Sequence, residues 1–297
     1  MERESLLAIL LILFGGLAIQ PFALIPPQAE SVRGDCNIER RAWLKLWLPI
    51  VPALLVAAWL CGWALREPDP VDDPLGWLVL IGACFPFGVV TVRAVLRAAW
   101  ALFREPVDAG ICTVGFFRPR ILFSPFLAKS LDEGMLHAAW QHEQAHARHR
   151  DPLRIWLAQF ATDLQWPWPW ARKRFDAWLI ALECARDDEA RCHGVSGADL
   201  AAAVLAMVRQ SPVILNNAAR RTTGVHTHAL LIGDQQALQR RIARLLSPLV
   251  DLRAAPDHSV TGLAGVETWL AGLLAIACVL GILYGEPVMH SLLAWTS

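Results

Sequence analysis

Tyrosine and charge are what this chain has least of. Its 297 residues include a single Tyr, Tyr284, beside 14 Trp, and only 18% are charged while 55% are hydrophobic. That balance is unlike an ordinary water-exposed globular protein and predicts a membrane-associated chain. A net charge is also missing, since 27 Lys and Arg face 27 Asp and Glu. With no basic surplus to neutralise phosphates, nucleic acid is excluded as the main partner. The cysteines are odd in number, seven, and scattered at Cys36, Cys61, Cys84, Cys112, Cys184, Cys192 and Cys278. Neither a disulfide framework nor a CxxC metal site is visible, and no internal repeat is evident.

Long apolar runs are what the chain has instead. Four of them, 6–25, 46–65, 75–95 and 263–284, are long enough to cross a bilayer, which needs about 20 residues. The first reads as a span rather than a signal peptide, because Arg3 between Glu2 and Glu4 makes no basic head and no clear A-x-A site follows. Loop charges orient the runs. Arg33, Arg40, Arg41 and Lys45 follow the first, Arg93, Arg97 and Arg104 the third, and Arg240, Arg241, Arg244 and Arg253 precede the fourth, whereas an acidic connector with Glu67, Asp69, Asp72 and Asp73 follows the second. Lys and Arg mark the cytoplasmic side. The expectation is three transmembrane helices in 1–96, a cytoplasmic domain in 97–260, and a fourth transmembrane helix with a short tail in 261–297, both termini lying outside.

The chemistry centres on His142-Glu143-Gln144-Ala145-His146, an H-E-x-x-H pattern. On a helix, positions i and i+4 lie one above the other, so both imidazoles reach one metal while Glu143 sits beside them. Two neutral histidines suit zinc, and the adjacent carboxylate can take a proton from a zinc-activated water. The surrounding residues read as helix: Ser130-Leu-Asp-Glu133 forms a capping box, Leu131, Met135, Leu136, Ala139 and Trp140 an apolar stripe, and Pro152 stops or kinks the helix after Asp151. Upstream, 111–123 reads as a hairpin or a pair of short strands broken by Gly115 and Pro119. Trp166-Pro-Trp-Pro-Trp170 suits either a membrane interface or a turn capping the core.

Catalytic zinc takes three protein ligands, so a third is required. A second helix over about 171–193, ended by Gly194, offers Glu183 and Asp187 on one face. Glu183 is the candidate ligand, and Asp187 can orient His142 or His146 through its other ring nitrogen. The alternative is an exposed acidic cluster of both residues with Asp188 and Glu189. Arg172, Lys173 and Arg174 in this helix's first turn read as contacts to anionic lipid or substrate. His149 is too far along the helix to share the ion with both other histidines, His226 and His228 read as a solvated loop, and Cys184 and Cys192 as small buried side chains. With Tyr284 remote in sequence, His193 and Arg186 are the candidates for oxyanion or substrate contacts.

These motifs, in this order, resemble the BlaR/MecR antirepressor-type integral-membrane zinc metallopeptidases. The likeness rests on Gly115 to Ile121, the H-E-Q-A-H-A-R-H-R-D run from His142 to Asp151, the aromatic-Pro stretch, Glu183 to Asp187 as E-x-x-x-D, and Arg240-Arg-Ile before a final span. It implies a mainly α protein of a bacterial inner membrane, with four transmembrane helices and a cytoplasmic α+β gluzincin domain between the third and fourth. It also implies zinc held by His142, His146 and Glu183, with Glu143 as the base. The expectation is a member without the large extracellular β-lactam sensor of the receptors, and Trp-Pro stands where the family has Asn-Pro. The partners expected are a protein or peptide substrate, a cytoplasmic repressor being one candidate, the lipid bilayer, and a second copy in a homo-oligomer. The leading reading is a regulatory endopeptidase. A quality-control peptidase of the HtpX type and a non-catalytic membrane transducer are the alternatives.

Overall fold

The described elements follow the order α1 (Cys36–Trp47), a 3-10 turn (Leu48–Ile50), β1 (Ile111–Val114), β2 (Arg120–Phe123), α2 (Glu133–Arg148), α3 (Asp151–Leu164), α4 (Pro169–Cys192), α5 (Gly197–Gln210) and α6 (Gln235–Leu246). The computed structural model describes residues 36–51, 88–100, 111–123, 129–165, 168–210 and 235–248, with Ala23, Leu55, Phe85 and Ser291 as isolated positions. The chain divides into two compact units, one of 1–24, 47–90 and 253–297, the other of 25–46 and 91–252. In the first unit the 3-10 turn is opened by Pro49, and both Pro49 and Ile50 are buried. The second unit carries the hairpin, α2 to α6 and nearly all of α1.

The four expected membrane spans are corrected: among the described residues no helix is long and apolar enough to cross a membrane. The assignment to an integral membrane protein, with a cytoplasmic catalytic domain and outside termini, falls with them. The physical reason is visible in the helices. The longest, α4, has 24 residues but is interrupted by charges from Arg172 to Arg191. Each other helix named here has 16 residues or fewer, about 24 Å at 1.5 Å per residue, against a hydrocarbon core of about 30 Å. Runs 6–25 and 263–284, and most of 46–65 and 75–95, lie outside the described residues, as do Trp166, Pro167, His226 and His228.

Helix α2 is the hub of the second unit, packing on α3, α4, α5 and both strands. It starts two residues later than the capping box predicts. The Asp132 carboxylate accepts the Met135 amide at 2.7 Å, so Asp132 is the cap rather than Ser130. One face places Ala139, Met135 and Leu136 with Ile111 of β1, Leu131 and Ala203 of α5, and another places Ala138 with Ala190, Leu200 and Leu245. Alanines at the contacts let the helices approach closely. The hairpin expected over 111–123 is present, with Thr113 opposite Ile121 in an antiparallel register.

Helix α2 ends at Arg148 rather than Asp151, and a helix absent from the sequence reading, α3, begins there. Pro152 lies in the first turn of α3, where its missing amide costs nothing. Helix α4 ends as predicted at Gly194, whose φ of +91° lets the Val195 amide donate to Ala190 and the Gly194 amide to Arg191. In the basic cluster at the start of α4, Arg172 and Lys173 are exposed. Arg174 is buried and donates to Gln165, while Arg172 pairs with Asp176 at 3.1 Å. Gln165 in turn donates to the Leu46 carbonyl of α1 at 3.0 Å. Cys184 is half-buried, its thiol pushed up to about 11 by burial and by Asp187, but Cys192 is exposed, contrary to expectation.

Candidate metal centre

The i, i+4 spacing on α2 brings His142 and His146 together, and α4 lays Glu183 against them. All three are buried. The two Nε2 atoms are 3.1 Å apart. Glu183 Oε2 lies 3.4 Å from His142 Nε2, and Oε1 lies 3.5 Å from His146 Nε2. These three residues form a group that could hold a metal ion.

A carboxylate backs each imidazole. His142 Nδ1 is 2.9 Å from Asp187 Oδ1, and His146 Nδ1 is 2.8 Å from Asp151 Oδ2. A carboxylate in that position holds the ring proton on Nδ1 and turns the Nε2 lone pair inward. An arginine backs each carboxylate in turn. Arg241 of α6 grips Asp187 with Nε and Nη2 at 2.7 and 2.8 Å, and its Nη1 is 3.0 Å from Glu183 Oε2. Arg186 of α4 grips Asp151 at 2.6 and 3.2 Å, and Arg154 adds a third donor at 3.2 Å. Arg154 also donates to Glu39 of α1 at 2.7 Å, and the Trp178 indole donates to the same oxygen at 2.8 Å.

Charge follows geometry. Burial alone raises the Asp187 carboxyl, but Arg241 and His142 overrule it and hold it at about 2. Asp151 is likewise raised by burial and held well below the carboxylate range by His146 and Arg186. The His142 imidazole is pushed down by burial, yet its bonds to Asp187 and Glu183 raise it to about 10. Two imidazole nitrogens and a carboxylate meeting at one point thus favour a positive charge between them. A divalent cation satisfies the same field and leaves both imidazoles neutral.

Glu143 sits beside this group, 2% exposed, and the Thr113 hydroxyl of β1 lies 2.7 Å from its Oε2 and 2.9 Å from its backbone carbonyl oxygen. Of the other residues singled out from the sequence, Asp187 takes its expected place behind His142. Arg186 is buried and spent on Asp151 and on Glu189, which it meets at 3.1 Å. His193 is exposed at the end of α4, its Nδ1 2.7 Å from the Glu189 carbonyl oxygen. His149 is paired with Glu189 at 2.9 Å.

Asp151, Thr113 and Arg241 are the residues that sequence reasoning did not place. Asp151 closes the quoted H-E-Q-A-H-A-R-H-R-D run, but a continuous helix would not return it to His146. Arg150 adopts the left-handed conformation, φ 52° and ψ 43°, and this turn brings Asp151 back. Thr113 and Arg241 come from elements distant in sequence, and no local spacing marks them. No family model, curated protein or solved structure matches this chain.

Proposed function

We propose that this chain is a zinc-dependent endopeptidase whose cleavage of a protein substrate serves regulation. The observation that carries the reading is the spacing of the donor atoms. Zinc bound tetrahedrally at about 2.0–2.1 Å has ligands about 3.3–3.4 Å apart, and here the two imidazole nitrogens are 3.1 Å apart, with one Glu183 oxygen 3.4 Å from His142 and the other 3.5 Å from His146. Two imidazoles with one carboxylate oxygen are a donor set that suits zinc better than the all-oxygen cations.

Zinc bound there supplies a Lewis acid for the scissile carbonyl and lowers the pKa of water. The residues of the chain do the rest. His142, His146 and Glu183 would hold the ion, and Asp187 and Asp151 keep the two rings in register. Glu143 takes a proton from the attacking water and hands it to the leaving amine. The Thr113 hydroxyl fixes the plane of that carboxylate. A closed structural zinc site needs four protein ligands and no base, so three donors with a buried carboxylate beside them favour catalysis. The resemblance to BlaR/MecR antirepressor peptidases supports a regulatory protein as the substrate.

The test compares new protein amino termini in cells carrying the wild type and Glu143→Gln. A small set of cuts present only with the wild type is expected. Many scattered cuts would replace regulation with quality control, and identical termini in both would remove peptide hydrolysis altogether.

A further inference from the structure

The motif Arg240-Arg241-Ile242 has no role in the hydrolysis described above, yet Arg241 reaches the metal centre from a helix remote in sequence. Arg241 and Asp187 are 54 residues apart. The guanidinium is 5% exposed and spans Glu183 and both oxygens of Asp187. Glu183 and Asp187 are themselves only 0% and 1% exposed, one turn apart on α4. Two carboxylates so placed repel each other in a medium of low dielectric, and the repulsion would swing Glu183 away from the histidines unless a cation lay between them. Arg241 is that cation, and its planar fork fixes the rotation of both carboxylates at once.

We propose that Arg241 is a positioning residue of the metal centre, so that docking of α6 sets the affinity of the site for zinc. The inference rests on the zinc reading above. Its second support is how α6 is tethered. Leu245 is buried against Ala138, Ala190 and Leu200. Arg244 pairs with Asp188, and Arg191 donates to the Ser247 carbonyl at 2.6 Å. At the crossing with α5, a Cβ on Gly197 would lie 2.1 Å from the Leu245 carbonyl oxygen, a contact that only glycine allows. These contacts leave α6 one seated position, and that position delivers Arg241 to Glu183. Binding of the ion and seating of α6 are therefore linked, and each strengthens the other by the same factor.

The test is a zinc titration of the full chain against a chromophoric chelator, with thermal unfolding measured alongside. Arg241→Met should weaken zinc binding by about 10- to 100-fold, the usual loss when a group supporting a metal ligand is removed. Arg241→Lys, which keeps the charge but not the fork, should fall between Arg241→Met and the wild type. Arg244→Met, which loosens the seat of α6 without touching a ligand's partner, should lower the melting temperature and weaken zinc binding less than Arg241→Met does, because seating and binding are linked. Wild-type affinity in Arg241→Met overturns the inference, as does wild-type affinity in an Arg244→Met chain whose melting temperature has fallen. A wild type that takes up zinc no better than His142→Ala sinks the zinc reading itself, and the inference with it.

Discussion

Asp151 meets the Nδ1 edge of His146 at 2.8 Å from the first turn of the next helix, and all four of its lone-pair positions are engaged by His146, Arg186 and Arg154. Asp187 does the same for His142 from another helix, so each metal-facing imidazole ends a His, Asp, Arg relay. Relays of this kind fix the tautomer and angle of the ring before any ion arrives, which lowers the ordering cost of binding.

Asp151→Asn removes the charge while keeping the shape. It should weaken zinc binding by about 10- to 100-fold. It should also cost about 1–3 kcal/mol in chemical denaturation, because buried Arg186 loses its two-pronged carboxylate and keeps Glu189 as its counter-charge. Wild-type zinc affinity in this variant would show that the relay orients nothing.

Thr113→Val leaves the Glu143 carboxylate without its hydroxyl partner in a buried setting, and about 1–3 kcal/mol of stability should be lost. Zinc affinity should be unchanged, since no ligand is touched, while cleavage falls. Thr113→Ser restores the hydroxyl and should restore both quantities. A serine variant as impaired as valine would assign Thr113 to packing alone.

Arg150 is the one non-glycine residue with positive φ among the described residues, at 52°. The left-handed conformation costs an ordinary residue roughly 1–2 kcal/mol that glycine is spared. Arg150→Gly should therefore raise the melting temperature, with a gain held to about 1 kcal/mol by the greater freedom of glycine in the unfolded chain. A loss of stability would mean that the Arg150 side chain, and not the turn, matters.

The pH response of the fold can be read at Glu189. Burial raises its carboxyl, but His149, Arg186 and Arg148 hold it down at about 2, below the ordinary 4.5. A depressed carboxyl contributes stability that is complete above its unfolded value and disappears as the pH falls through its folded value. The contribution of Glu189 is thus full above about pH 4.5 and lost on the way to about pH 2. After screening at this half-exposed site it is worth about 1–2 kcal/mol. Unfolding curves of Glu189→Gln should lie below the wild type at neutral pH and converge with it near pH 2. A constant gap across that window would contradict the assignment.

Periodicity made His142, Glu143 and His146 legible, and the same rule on a second helix made Glu183 and Asp187 legible, because one-turn spacing fixes a shared face whatever the surroundings. It could not foresee a break in that period. The left-handed turn at Arg150 ends α2 early, starts α3, and returns Asp151 to His146. Partners from distant elements, Thr113 on β1 and Arg241 on α6, carry no local signature, since their placement depends on how the helices pack. The capping residue shifted by two because the Asp132 carboxylate takes the Met135 amide, whereas a Ser130 cap would serve the Glu133 amide. The membrane expectation rested on apolar content over long windows that lie mostly outside the described residues, and the described helices are short or interrupted by charge.

X-ray absorption at the zinc edge of the purified, zinc-titrated protein asks whether His142, His146 and Glu183 hold a catalytic zinc ion. One zinc per chain is expected, with two imidazole nitrogens and oxygen donors at about 2.0–2.1 Å, lost in His146→Ala and altered in Glu183→Gln. Sulfur in the coordination shell, at about 2.3 Å, or zinc uptake unchanged by either substitution, would contradict it.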